Sequence, residues 1–310
     1  MTSLTYINQK IINTEEAKIP ITSLAFTLGG SVFEALRANW NPNKEFYYLP
    51  NIKKNINRLF DSMKILRMTI AESKEDLLKI IISLIKEWGE NTDAYIRVTA
   101  YISDSSSSGS VYLPSEVNTK IAATITEKSW EHSITQSIKC QTSTWQRISD
   151  SSMPPRVKSA ANYENTRLAG QEARLNGFDN AIMMNNFGKI SEAAESAIFF
   201  IDKNNKLITP SLQSDVLDSI NRQAIMYIWK KMTGEKVIER IVDRSELYLA
   251  EEMFLINTAK LIRPVTSLDH IQIGNGSIGI QTRKIANIYN KSLRGDNDFF
   301  NDSSIRIKED

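Results

Sequence analysis

Residues 94–102 constrain the fold more than any other stretch of this chain, because apolar side chains alternate there with polar or aromatic ones without a break. Tyr95, Arg97, Thr99 and Tyr101 share one face, and Ile96, Val98, Ala100 and Ile102 share the other, the period of two that extended backbone imposes. The polar and aromatic face suits the wall of a cleft, and a solvent face would alternate in the same way. Shorter strands are expected from Thr5 to Gln9, from Phe46 to Leu49 after a turn at Asn41 to Lys44, and from Met253 to Ile256. Helical spacing interrupts them. From Ile52 onward apolar residues recur at Ile56, Leu59, Phe60, Met63 and Leu66, the spacing of one helix face. A second helix has Ser73 as its cap, Asp76 three residues on, and Gly89 as its stop. Further helices are expected from Asn162 to Asn176, ending at Gly177, and from Arg222 to Met232 behind Asp218-Ser219-Ile220-Asn221. Asn185 to Gly188 and Asp202 to Asn205 read as hairpin turns. Strands, helices and hairpins mixed in this way predict an α+β protein rather than a parallel doubly wound sheet. Asp104 to Gly109 reads as a low-complexity loop and Asp298 to Asp310 as a polar tail.

Composition narrows the chemistry. A chain of 310 residues, 41% hydrophobic and 24% charged, suits two ordinary globular domains. Lys and Arg number 38 against 36 Asp and Glu, a net charge of +2, so no basic block supports nucleic-acid binding. The single Cys140 excludes a disulfide within the chain and points to a reducing, cytoplasmic setting; as a nucleophile it lacks any supporting motif and reads as buried. The 2 His, His132 and His270, exclude a His-rich metal site, and neither sits in a recognisable triad. Acid–base chemistry therefore falls to Lys or to carboxylates. Met1 to Tyr6 shows no basic segment followed by an apolar one, and the apolar run from Leu77 to Ile85 contains Lys79, as a core helix would and a membrane span would not.

One lysine stands out. Lys158 lies in Met153-Pro154-Pro155-Arg156-Val157-Lys158-Ser159-Ala160-Ala161-Asn162-Tyr163. Two prolines stiffen the approach, and the small residues after Lys158 let the backbone pack against something flat. A lysine stripped of water is a nucleophile toward carbonyls. Most lysines are solvated instead, so the motif gains weight from its company downstream.

That company resembles the class IV pyridoxal-phosphate aminotransferases, the group of branched-chain and D-amino acid aminotransferases. The resemblance runs through Pro154 to Lys158 with Asn162-Tyr163, Leu168 to Ala173, Gly188-Lys189-Ile190-Ser191-Glu192-Ala193, Ile208-Thr209-Pro210, Ser219 to Arg222, Leu247 to Glu252 and Asn257-Thr258-Ala259. Upstream, Gly30 to Arg37, Asn57-Arg58-Leu59 and Tyr95-Ile96-Arg97 follow in order, so the likeness covers about Ile21 to Tyr289. It implies the two-domain D-amino acid aminotransferase-like architecture (fold type IV). A small N-terminal α/β domain would span 1–126, a connector 127–136, and a larger mixed-sheet pseudo-barrel domain 137–310. It also implies pyridoxal 5'-phosphate carried by Lys158 as a Schiff base. Glu192 would stand beside the pyridine nitrogen, and Arg58, Ile220, Asn221 and Thr258 would hold the phosphate. Tyr163 joins the cofactor contacts, and Arg37, Tyr95, Arg97 and Ala259 the substrate contacts; for Arg37 a structural ion pair with Glu34 or another acid is an equal alternative.

The resemblance implies a homodimer and transfer of an amino group from an amino acid, branched-chain or otherwise hydrophobic, to a 2-oxo acid. Departures loosen the substrate reading: Ala35 replaces the usual glycine, Leu28 a usual tyrosine, Ile256-Asn257 the usual Ser-Gly, and Ser219-Ile220-Asn221 the usual Gly-Ile-Thr. An aminodeoxychorismate lyase of the same fold, or a cofactor-free interaction protein that inherited it, are the alternatives.

Overall fold

The alternating stretch at residues 94–102 is a strand along its whole length. In the computed structural model, which describes residues 3–104, 118–130, 134–297 and 299–308, it lies in the first of two units. That unit comprises Met1–Trp130, Val157–Ala161 and Ser292–Asp310; the second comprises Glu131–Arg156 and Asn162–Lys291. Most of the expected loop after Asp104, part of the expected connector, and His132 lie outside the described residues.

The first unit opens with β1 (Leu4–Ile7) and β2 (Lys10–Asn13), then α1 (Leu24–Thr27), β3 (Ser31–Asn41), β4 (Phe46–Leu49), α2 (Ile52–Ile65), α3 (Lys74–Trp88), β5 (Ala94–Ile102) and β6 (Thr119–Glu127). The expected strand from Thr5 to Gln9 stops early because Asn8 and Gln9 take positive φ and turn the chain into β2. Helix α3 starts and stops where its sequence signals say. The Ser73 hydroxyl accepts from the Asp76 N–H, the Asp76 carboxylate accepts from the Ser73 N–H, and Gly89 closes the helix at φ +57°, a conformation that costs glycine little. The apolar faces of α2 and α3 bury Ile56, Leu59, Met63, Leu77, Ile81 and Leu84 in one cluster with Val32, Leu36, Ile96 and Val98 of the sheet.

The second unit holds β7 (Ile138–Thr142), α4 (Asn162–Leu175), β8 (Asn180–Met184), β9 (Ile190–Ala193), β10 (Ala197–Ile201), β11 (Leu207–Pro210), α5 (Ile220–Thr233), β12 (Ile238–Arg240), α6 (Arg244–Leu247), β13 (Glu252–Asn257), β14 (Leu261–Leu268), β15 (Ile271–Gln272) and most of α7 (Ile280–Leu293). Its strands run in the order β12-β11-β10-β13-β14-β7-β8-β9, with β15 on β14. Pairs β11–β12, β14–β7 and β7–β8 are parallel and the rest antiparallel. The sheet curls. Strand β9 ends one edge, yet the Ala193 N–H donates to the Ser196 carbonyl at 2.9 Å at the threshold of β10, which lies near the other edge. This is the α+β architecture with a mixed pseudo-barrel sheet that the sequence predicts.

Two expectations need correction. The stretch from Asp298 onward is not only a polar tail: β16 (Ile305–Lys308) pairs antiparallel with β4, from Ile305 opposite Leu49 to Lys308 opposite Phe46. Ile307 is 6% exposed and joins the first unit's core. The first unit's sheet is therefore β16-β4-β3-β5-β6-β1-β2. Nor is 137–310 one continuous body, because β16 and residues 157–161 both belong to the first unit. Two short apolar residues inside a charged segment carry too weak a pattern to announce a strand, and the strand forms because β4 offers it an open edge.

Candidate active site

Lys158 is fixed by its own main chain. The Phe33 N–H donates to the Lys158 carbonyl at 2.9 Å, and the Lys158 N–H donates to Ser62 Oγ on α2 at 3.2 Å. On either side, Val157 is buried in the first unit's core, Ser159 bridges Val32, and the Ala160 N–H donates to the Ser31 carbonyl. The small residues after Lys158 thus let the segment lie flat along β3. With the backbone clamped, only the side chain can move. Its Nζ lies 4.8 Å from the centroid of the Phe33 ring, and the Arg97 guanidinium carbon lies 3.6 Å from the same centroid. Two cations sharing one aromatic ring form an electropositive spot suited to an anionic substrate group.

The register of β3 and β5 explains which residues gather there. Phe33 pairs with Thr99, Ala35 with Arg97 and Arg37 with Tyr95, so all six side chains share one face while Val32, Glu34, Leu36, Ile96 and Val98 take the core face. Arg37, Tyr95 and Arg97 are brought together as expected. Ala35, opposite Arg97, is short enough for the guanidinium to lie across toward Phe33. Arg37 donates from Nε to Asn39 Oδ1 at 3.1 Å and lies 3.7 Å from the centroid of the Trp130 indole.

The alternative ion pair between Arg37 and Glu34 does not form, because residues three apart on a strand face opposite sides. Glu34 points at α2 instead. Its carboxylate takes Arg58 Nε at 2.6 Å and Nη2 at 2.8 Å, and Asn55 Nδ2 at 2.8 Å. This fork geometry is what a guanidinium does best. Arg58 lies one turn before Ser62, the residue that receives the Lys158 N–H.

The second unit holds the other expected residues. Glu192 in β9 is buried. Its Oε1 accepts from Arg147 Nη2 at 2.8 Å and from the Leu217 N–H at 3.2 Å. A guanidinium held this close favours the charged form of a carboxyl. Arg147 is itself buried, and its Nε and Nη1 meet no hydrogen-bond partner among the described residues. Nothing in the sequence around Arg147 announces this pairing, and it was missed.

Helix α5 is capped by Ser219, whose Oγ accepts from the Arg222 N–H. Among the described residues no acceptor takes the N–H of Ile220 or of Asn221. Those two groups are the free donors that a helix start offers to an anion. Asn221 Nδ2 donates to Thr258 Oγ1 at 3.0 Å, and the buried Tyr289 hydroxyl of α7 donates to Asn221 Oδ1 at 2.8 Å. Ala259 is exposed in the turn between β13 and β14. Asn257 shapes this turn by donating to Ser196 Oγ and accepting the Lys260 N–H. Tyr163 is half-buried in the first turn of α4. Cys140 is fully buried and burial pushes its thiol far up, which removes it as a nucleophile at neutral pH.

The comparisons agree with the geometry. The family described as amino-transferase class IV matches residues 31–268. A probable branched-chain-amino-acid aminotransferase of Aquifex aeolicus is 36% identical over 292 residues, 94% of this chain and 92% of its own length. The branched-chain-amino-acid aminotransferase of Escherichia coli K12 is 32% identical over 285 residues, 90% of this chain and 89% of its own. The crystal structure of the Thermobaculum terrenum branched-chain amino acid aminotransferase in its PLP form superposes with a TM-score of 0.91 at 31% identity, covering 98% of this chain and 97% of that one. By sequence and by fold alike, the chain belongs to the class IV aminotransferases.

Proposed function

We propose that this protein is a pyridoxal-phosphate-dependent transaminase that moves an amino group between an amino acid and a 2-oxo acid, with Lys158 as its catalytic base. The observation that carries this reading is the double anchoring of the Lys158 main chain to β3 and α2 beside Phe33 and Arg97. A residue held this way extends its amine from a fixed point of the backbone. Pyridoxal phosphate supplies an aldehyde to receive the amino group and a ring to withdraw electrons from the substrate α-carbon.

The chain supplies the rest. Lys158 Nζ would hold the cofactor aldehyde at rest and, when freed, would carry the proton from the substrate α-carbon to the cofactor's aldehyde carbon in the first half-reaction and back the other way in the second. Glu192, paired with Arg147, would favour a proton on the pyridine nitrogen. The Ile220 and Asn221 N–H groups and Thr258 would bind the phosphate; the two unclaimed N–H groups at the start of α5 fit that anion. Tyr163 completes the cofactor contacts. Arg97, Arg37 and Tyr95, on one face of the first unit's sheet, would receive the substrate carboxylate.

The relatives are named for branched-chain amino acids, and we propose the same hydrophobic substrate class here. Homodimerisation belongs to this reading; the exposed Ile21, Phe26 and Leu28 of the first unit support it, and sedimentation equilibrium tests it. A reducing, cytoplasmic setting suits the lone buried Cys140.

The decisive experiment mixes cofactor-loaded protein with single amino acids and follows conversion of the cofactor to its amine form. Branched-chain amino acids are expected to react, Lys158→Ala to abolish the reaction, and borohydride reduction followed by peptide mapping to find the cofactor on Lys158. An adduct on another residue overturns the assignment. Pyruvate release from aminodeoxychorismate without amino transfer replaces it with a lyase.

A further inference from the structure

Three side chains of the second unit form a hydrogen-bond chain with a single direction. The Tyr289 hydroxyl gives its hydrogen to Asn221 Oδ1 at 2.8 Å, and Asn221 Nδ2 gives one of its hydrogens to Thr258 Oγ1 at 3.0 Å. An amide has one carbonyl and one NH2 group, so occupying the carbonyl from one side decides where the NH2 points. Thr258 Oγ1 accepts from Asn221, and its own hydrogen is therefore turned away from the amide. Tyr289 and Asn221 donate in the same sense, from the buried α7 through the start of α5 to Thr258, and the first bond polarises the second.

The opposite amide orientation would have the opposite electrostatic result. The Asn221 carbonyl would face Thr258 and consume its hydroxyl hydrogen. Oxygen lone pairs would then stand beside the Ile220 and Asn221 N–H groups, where an anion is to bind. Which of the two orientations prevails matters for an anion and is indifferent to a neutral ligand. Tyr289 is 1% exposed and comes from an element 68 residues away in sequence, so its hydroxyl is held where it is by α7 and not by the local loop.

We propose that Tyr289 is a positioning residue for phosphate binding: it locks the Asn221 amide so that asparagine and Thr258 donate toward the anion at the N-terminus of α5. This rests on the reading that the cofactor phosphate binds there, and it names what makes an asparagine competent at that position.

The test compares two probes on the apoprotein, pyridoxal phosphate and pyridoxal, by fluorescence titration. Wild type should prefer the phosphorylated probe. Tyr289→Phe should weaken pyridoxal phosphate about five- to tenfold, the worth of roughly one hydrogen bond, and leave pyridoxal unchanged. In an Asn221→Thr background, which has no carbonyl for Tyr289 to hold, adding Tyr289→Phe should change neither affinity. Asn221→Asp keeps the shape and the acceptor for Tyr289 but deletes the donor to Thr258, and should weaken pyridoxal phosphate more than Tyr289→Phe does. It also carries the test should Tyr289→Phe fold poorly, as thermal unfolding of the apoprotein would reveal. Equal weakening of both probes, an unchanged Tyr289→Phe effect in the Asn221→Thr background, or full phosphate affinity in Asn221→Asp overturns the proposal. A wild type that binds both probes equally removes the phosphate from this helix start, and that outcome sinks the underlying reading as well.

Discussion

At the scale of single residues, the Arg147–Glu192 pair shows how burial turns a charge into a commitment. Both side chains are almost out of water, so neither ion can be left alone. Removing one partner of such a pair costs roughly 3–5 kcal/mol, whereas replacing both with apolar groups is often near neutral. Arg147→Met is therefore expected to lower the urea-unfolding free energy by about 3 kcal/mol and to slow amino transfer. The double variant Arg147→Met with Glu192→Leu should recover most of the stability and none of the activity. If the double variant were active, Glu192 would have no role at the pyridine nitrogen.

Asp269 makes the second prediction. Burial would push its carboxyl up, but hydrogen bonds from the Thr142 side chain and backbone, Tyr248 and Arg244 outweigh this and hold it below the ordinary range. A carboxyl lowered in the folded state contributes stability that is complete above its unfolded pKa of about 3.9 and lost as pH falls through the folded value. The urea midpoint of wild type should thus fall more steeply below about pH 4 than that of Asp269→Asn, while Asp269→Asn should be the less stable of the two near neutrality.

At the scale of elements, β16 and the start of α5 invite separate tests. Ile307 is buried where β16 joins the first unit's core, and a large-to-small change at such a site costs about 2 kcal/mol or more. Ile307→Ala should show that loss in denaturant unfolding; a loss near zero would mean that β16 contributes nothing to the sheet. Ser219→Ala removes the hydroxyl that caps α5 and should cost about 1 kcal/mol. Its effect on cofactor affinity should be smaller than that of Asn221→Asp, because the Ile220 and Asn221 N–H groups remain.

At the scale of the whole molecule, the first unit is assembled from three separate parts of the chain. A fragment ending at Trp130 lacks both β16 and the buried Val157, so it is expected to unfold without a cooperative transition, followed by circular dichroism, while the full chain unfolds sharply. Features written within a few residues were legible without coordinates. The Ser73 and Asp76 capping box, the Gly89 stop, the alternation at 94–102, and the Lys158 run with its small followers each depend on local backbone geometry. The gathering of Arg37, Tyr95 and Arg97 could be expected from the family likeness, and the β3–β5 register supplies its physical cause.

The partners of the site's charges were a different matter. Arg147 reaches Glu192, Tyr289 reaches Asn221 and Glu34 reaches Arg58 across stretches of sequence with no periodic relation. Backbone conformation and side-chain alternation are set by neighbours along the chain, so the sequence alone determined the α+β class and those elements with strong local signals, such as α2, α3, α4, α5 and β5. Which buried ion meets which counter-ion, which amide is locked, and which edge receives the last strand depend on distances that exist only once the sheets have closed, and the tertiary structure alone decided those.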